Sequence, residues 1–179
     1  MPGLNFTIEQ QECTEWCWAA VTAAVCRSYG DETATRQCEV ANLVLPLSID
    51  NCTECRCRQN QSAPCNQQQN LASVLDTVHH DRGNPIDGIS SVGFDQVKDE
   101  IDQGHPIVVR VTLDELAASG HAIAIYGYSD DGTVLIADPM HANDKITVPF
   151  AAFAAGGRID LGGLHGTWQG AYLTKAQNE

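Results

Sequence analysis

The sequence predicts an α+β fold in which an N-terminal helical lobe packs on a C-terminal antiparallel β-sheet lobe. Helical periodicity dominates roughly the first 104 residues. From Pro106 onward the pattern changes to period-two alternation or continuous apolar runs, bounded by turn signals. Helices that precede antiparallel strands, rather than alternating with them, make an α+β layout. With 179 residues and 43% hydrophobic content the chain has enough material for a single domain with one core. The expected division within it is a helical lobe over about 1–104 and a β lobe over about 105–179.

Trp16 to Tyr29 (WCWAAVTAAVCRSY) is alanine-rich and ends before Gly30, which suits the left-handed residue after a helix. Arg36 to Leu45 reads as a second helix, stopped by Pro46. Asp50 to Gln69 is rich in cysteine and glutamine, has few apolar residues and reads as a loop. Asn70 to His80 is a third helix, with Leu71, Val74, Leu75 and Val78 at helical spacing. Phe94 to Gln103 is a fourth, carrying Phe94, Val97, Lys98 and Ile101 along one side and ending at Gly104. Strands follow at Pro106 to Leu113 and His121 to Tyr128. Asp130-Asp131-Gly132 is a hairpin turn signal before Thr133 to Ala137. Lys145 to Pro149 and Thr167 to Thr174 complete the sheet.

Net charge is −13, from 23 acidic against 10 basic residues. Nucleic-acid binding needs a basic face, and ten scattered cations do not build one. No apolar run approaches the roughly 20 residues of a membrane span. Residues 1–10 lack the basic and apolar segments of a signal peptide. Eight cysteines in this length lean towards an oxidising destination.

The chemistry concentrates in Gln11-Glu12-Cys13-Thr14-Glu15-Trp16-Cys17-Trp18-Ala19-Ala20. Cys17 falls at a helix start, where the positive end of the macrodipole favours a thiolate. Gln11, six residues upstream, is long enough to fold back and donate its amide N–H to an oxyanion. The Cys17 backbone N–H is the second donor. A cysteine nucleophile needs a base, and His121 opens an apolar strand directly after Gly120. The base needs an orienting group. Asp138 ends the next strand of the same hairpin, within side-chain reach. Cys13 is the competing thiol, but it lies before the helix and lacks an upstream glutamine.

These residues, in this order, resemble a papain-like cysteine peptidase of the compact bacterial branch, which includes bacteriocin-leader peptidases and papain-like effector proteases. The resemblance rests on Gln11, Cys17-Trp18-Ala19-Ala20, Gly104-His105-Pro106, Gly120-His121, Asp138-Pro139 and the closing Trp168-Gln169-Gly170-Ala171-Tyr172, and spans Gln11 to about Thr174. It implies a papain-like fold with the cleft between the lobes. It also implies a Cys17–His121–Asp138 triad with Gln11 in the oxyanion hole. Asp stands where papain itself has Asn. The resemblance further implies a protein or peptide substrate, no cofactor and no metal. The chain would act as a monomer outside the producing cell, with the cytoplasm of a target cell as one destination and an immunity or inhibitor protein as a partner if it is a toxin. Trp168 is expected to shield the His–Asp pair, and Trp18 to line the cleft or pack beneath it.

Other features read more plainly. Setting Cys17 aside as a free thiol leaves seven cysteines, so at least one more is unpaired, metal-bound or transiently paired. Cys52-x2-Cys55-x-Cys57-x7-Cys65 reads first as disulfides, with Cys38 as a partner; a zinc site and free thiols are the alternatives. His79, His80, His141 and His165 read as solvated, and His105 as a strand-start residue, with a place in the cleft lining as the alternative. Gly156-Gly157 and Gly162-Gly163 read as loop turns. Two other functions fit the same residues: glutamine deamidation or transamidation at the same thiol, and a non-catalytic disulfide-rich binding module with Cys17 oxidised.

Overall fold

The computed structural model describes residues 2–116 and 119–179. Helices α1 (Cys17–Ser28), α2 (Gln37–Val44), α3 (Leu71–Thr77) and α4 (Phe94–Asp102) precede strands β1 (Ile107–Leu113), β2 (Ser119–Tyr128), β3 (Thr133–Ala137) and β4 (Ile146–Pro149). A short helix α5 (Phe150–Ala154) then leads to β5 (Ile159–Asp160) and β6 (His165–Leu173). All neighbouring strands are antiparallel, in the order β4-β3-β2-β1-β6-β5. The expected change from helix to antiparallel sheet near residue 105 is therefore present.

Three helices close with the same hydrogen-bond pattern. After α1, Asp31 N–H donates to Cys26 O and Gly30 N–H to Arg27 O. After α4, His105 N–H donates to Glu100 O and Gly104 N–H to Ile101 O. Both glycines take positive φ, +70° and +92°, as this motif requires. After α3 the same pattern uses His79 at φ +62°, with His80 N–H donating to Leu75 O. The sequence extends α3 to His80 because the residue that ends it is not glycine.

The sheet separates two apolar clusters by strand alternation. Val108, Ala122, Ala124, Ala137 and Tyr172 pack with α1, α2 and α3. Ile107, Val109, Val111, Ile123 and Ile125 pack with Val97 and Ile101 of α4 and with Phe150 and Phe153 of α5. Successive side chains on a strand point to opposite faces, so the clusters lie on opposite sides of the sheet. The fourth helix thus differs from the expectation of one helical lobe through residue 104: it covers the far face. The chain reaches that face by passing the outer edge of β6, where Asp81 bridges Thr174 and Ile89 bridges Ala171. That passage also pairs backbone groups that an edge strand otherwise leaves open.

Alanines meet at the interface between α1 and the sheet: Ala19, Ala23 and Ala24 on the helix, Ala122, Ala124 and Ala137 on the strands. Small side chains on both surfaces let the helix approach the sheet closely. The first residue of α1 consequently arrives beside the start of β2. The sequence reading missed α5 and β5, whose five and two residues are too short to show a period.

Candidate active site

Cys17 is the first residue of α1. The preceding cap residue, Trp16, makes no side-chain cap hydrogen bond, and the first turn holds no acidic residue. The opening N–H groups and the positive helix end therefore act at the thiol with no acidic side chain in that turn. Cys17 is a half-buried free thiol.

His121 and Asp138 are 4% and 1% exposed, and His121 Nε2 lies 2.7 Å from Asp138 Oδ1. That contact leaves Nδ1 as the ring nitrogen for Cys17, which lines the same cleft as His121. Asp138 Oδ1 accepts a second hydrogen bond from Met140 N–H (2.8 Å), and Oδ2 lies 3.3 Å from His141 Nδ1. Burial alone lowers the His121 pKa, but hydrogen bonds and charge interactions with Asp138 and Cys17 raise it to about 9. Burial opposes ionisation of Asp138. The hydrogen bond and charge of His121, the Met140 N–H and His141 together hold its carboxyl below its ordinary value. At neutral pH the pair is an imidazolium against a carboxylate, with the sulfur of Cys17 on the same cleft.

The Peptidase_C39 like family model matches residues 3–158. The chain belongs to the Peptidase_C39 like family. Membership supports a cysteine peptidase, a hydrolase. Comparison with individual curated proteins gave no match.

In this member of the family the two halves of the site are stitched together by hydrogen bonds to backbone carbonyls. Gln11 N–H donates to Pro139 O at 2.8 Å, and Gln10 Nε2 donates to Met140 O at 2.9 Å. The segment before α1 is thereby tied to the turn that carries Asp138. Gln37, 1% exposed, grips the same segment from behind: its Oε1 accepts from Glu12 N–H (2.9 Å) and its Nε2 donates to Gln10 O (2.8 Å).

Gln11 itself does not face the cleft. Its Nε2 donates to Cys13 O (3.0 Å) and Thr14 O (2.8 Å), so both amide hydrogens are committed to the turn that leads into α1. In this conformation Gln11 shapes that turn and holds no amide hydrogen free for the expected oxyanion contact. Trp168 is a second departure. Its ring packs edge-on to Phe153 (4.9 Å) and Phe150 (6.3 Å), its Nε1 donates to Ser90 O, and it belongs to the cluster on the far face of the sheet. The physical reason is strand parity: Trp168 pairs with Val111, whose side chain points to that far face. It neither lines the cleft nor covers the His–Asp pair. Trp18 lines the cleft with its body while its Nε1 donates to Gln67 O.

The cysteine-rich loop is disulfide-bonded: Cys13–Cys57, Cys38–Cys52 and Cys55–Cys65. Cys52, Cys55, Cys57 and Cys65, the cluster with the zinc alternative, are all in these disulfides, so none offers a free thiolate to a metal. Cys26 is the second free thiol. Burial, reinforced by the charge of Asp31, raises its pKa to about 12, so it stays protonated. Trp16 Nε1 donates to Cys65 O, so the two tryptophans flanking Cys17 anchor consecutive parts of this loop.

Cys17, Trp18, His121 and Arg110 border one cleft of about 320 Å³. His141, Gln37 and Arg110 escaped the sequence reading. His80, read as solvated, is fully buried, 3.1 Å from Asp31 Oδ2 and stacked on Tyr29. For Arg110 a signal existed: a cation in the middle of the apolar run IVVRVTL.

Proposed function

We propose that the protein is a cysteine peptidase working through a papain-like Cys17–His121–Asp138 triad. The observation that carries this reading is a free Cys17 at the start of α1 sharing one cleft with His121, whose Nε2 is held by the buried Asp138 carboxylate. The Cys17 thiolate attacks the substrate carbonyl carbon, and the tetrahedral oxyanion forms against the free N–H groups that open α1, that of Cys17 foremost. The imidazolium gives its proton to the leaving amine, and the C–N bond breaks to leave a thioester. Neutral His121 then takes a proton from water, whose oxygen attacks the thioester, releasing the acid and restoring the Cys17–His121 pair. Asp138 holds Nε2 and stabilises the charged ring in both steps.

Replacing Cys17 or His121 by Ala abolishes peptide cleavage while circular dichroism and Tm stay those of a folded protein. Turnover that survives either change would defeat the assignment. A glutamine deamidase uses the same nucleophile. A mass gain of about 1 Da on a glutamine-containing protein, without fragments, marks that reaction. The binding-module reading is disfavoured because Cys17 is in no disulfide. Three disulfides support a working site outside the reducing cytosol of the producing cell, which suits a secreted or delivered effector acting on a foreign protein.

A further inference from the structure

Arg110 projects from the middle of β1 on the face that carries the cleft, opposite to Val109 and Val111. It is half-buried, yet among the described residues its guanidinium has no hydrogen bond or ion pair. Arg27, Arg36, Arg58, Arg82 and Arg158 each have a carboxylate within salt-bridge distance. A partly desolvated guanidinium without a partner carries an electrostatic cost that a bound anion removes.

The surroundings suit such an anion. Acidic residues outnumber Lys and Arg by 23 to 10 in the chain, yet none of the described residues lining the cleft is Asp or Glu. Carboxylates around the cleft lie outside its lining: Asp138, 2.7 Å from His121 Nε2, Asp87, which acts on Tyr172 from beyond β6, and Glu15, held by Gln68 Nε2 at 2.7 Å. Space is provided on one flank of Arg110 by its cross-strand partner Ala122, while on the other flank the backbone of Asp87 and Gly88 closes over Gly170. The β1–β6 register shifts between Arg110 and Val111, which leaves Gln169 as the unpaired residue of a bulge and turns it into the cleft. Bulges commonly re-aim side chains in this way. Thr112 adds a hydroxyl from the next cleft-facing position on β1.

We propose that Arg110 is the specificity-determining residue of this cleft, and that it binds the carboxylate of an Asp or Glu side chain flanking the scissile bond. Substrates are then proteins with an acidic residue next to the cut. The proposal rests on the peptidase reading for the word substrate, while the anion site itself does not.

The test has two arms, both on the full chain with its disulfides intact. In the first, wild type and Arg110→Gln digest a proteome-derived peptide library, and new termini are sequenced by mass spectrometry. Wild type is expected to enrich Asp and Glu at one position beside the cut. For matched peptides differing only as Glu or Gln there, kcat/KM should differ by about tenfold or more, as a charge-assisted contact implies. Arg110→Gln should erase that preference, and Arg110→Lys should retain part of it. Cleavage without acidic enrichment, or enrichment that persists in Arg110→Gln, overturns the proposal and leaves the peptidase reading standing. In the second arm, Cys17 is alkylated with iodoacetate and with iodoacetamide at low salt. These reagents differ in charge and need no peptide hydrolysis. The iodoacetate-to-iodoacetamide rate ratio should fall by about threefold or more in Arg110→Gln and recover in Arg110→Lys. A ratio that falls although no peptide is ever cut supports the anion site and sinks the peptidase reading alone. A ratio indifferent to Arg110 overturns the anion site. Normal iodoacetamide labelling of Cys17 in Arg110→Gln shows that the variant is folded around the thiol.

Discussion

Asp138→Asn isolates the electrostatic part of the site from its geometry. An Asn Oδ1 still accepts from His121 Nε2 and from Met140 N–H, and Nδ2 faces His141 Nδ1, so the contacts at 2.7, 2.8 and 3.3 Å survive in outline. What disappears is the negative charge against a ring that is 4% exposed. A hydrogen bond to a charged group is worth about 1.5–3 kcal/mol, or roughly 1–2 pH units of titration. His121 is therefore expected to titrate about 1–2 units lower in the variant than its wild-type value of about 9. The same shift appears in stability. In the wild type the folded pKa is raised from 6.5 to about 9, so the contribution of His121 is fully present below 6.5 and is lost as pH rises through about 9. For this buried ring it amounts to about 3 kcal/mol. Asp138, lowered in the folded state, contributes in the opposite direction: its part is present above 3.8 and is lost as pH falls through its folded value. Imidazole NMR titration reads His121 directly, and urea unfolding at several pH values between 6 and 10 reads the linkage. Identical His121 titrations in wild type and Asp138→Asn would refute the claim that the carboxylate holds the proton on the ring.

Further outcomes follow from the same contacts. Without reductant, iodoacetamide at neutral pH should label Cys17 and spare Cys26, which is fully buried with its pKa raised to about 12; peptide mapping that finds Cys26 labelled in the folded protein contradicts its placement. His79→Gly should raise stability by about 0.5–1 kcal/mol, because His79 is exposed and holds φ +62° where glycine is unstrained; a lower urea midpoint counts against this. Ala124→Leu should overpack the contact between α1 and β2, cost about 1–3 kcal/mol and slow Cys17 alkylation as the thiol moves away from His121; an unchanged rate would show that the alanine contact does not set that distance. Selective reduction of the three disulfides should release the loop over residues 50–66 to limited proteolysis while leaving the sheet protected from hydrogen exchange.

Much of this protein is legible in its sequence because its signals are local. Gly30 and Gly104 mark the ends of α1 and α4, where left-handed backbone is needed, and α3 runs past its true end only because His79 takes that conformation without being glycine. The spacing of Gln11, Cys17, His121 and Asp138 directs attention to one cleft, since a helix start and a hairpin end each present a side chain at a defined place. The same logic fails for Gln11 and Trp168. The fate of the Gln11 amide depends on the carbonyls of Cys13 and Thr14, which approach it only in the folded turn.

The α+β layout, the glycine-marked ends of α1 and α4 and the candidate nucleophile with its candidate base were legible in the sequence alone, since periodicity, caps and short-range spacing are properties of neighbouring residues. The side of the sheet on which each residue lies was decided by tertiary structure. A single bulge and the passage of residues 81–89 around β6 send Trp168 and α4 to one face and turn Gln169 towards Arg110 on the other. A strand presents its residues with period two, so one inserted residue exchanges the faces of everything beyond it, and no local pattern announces where that happens.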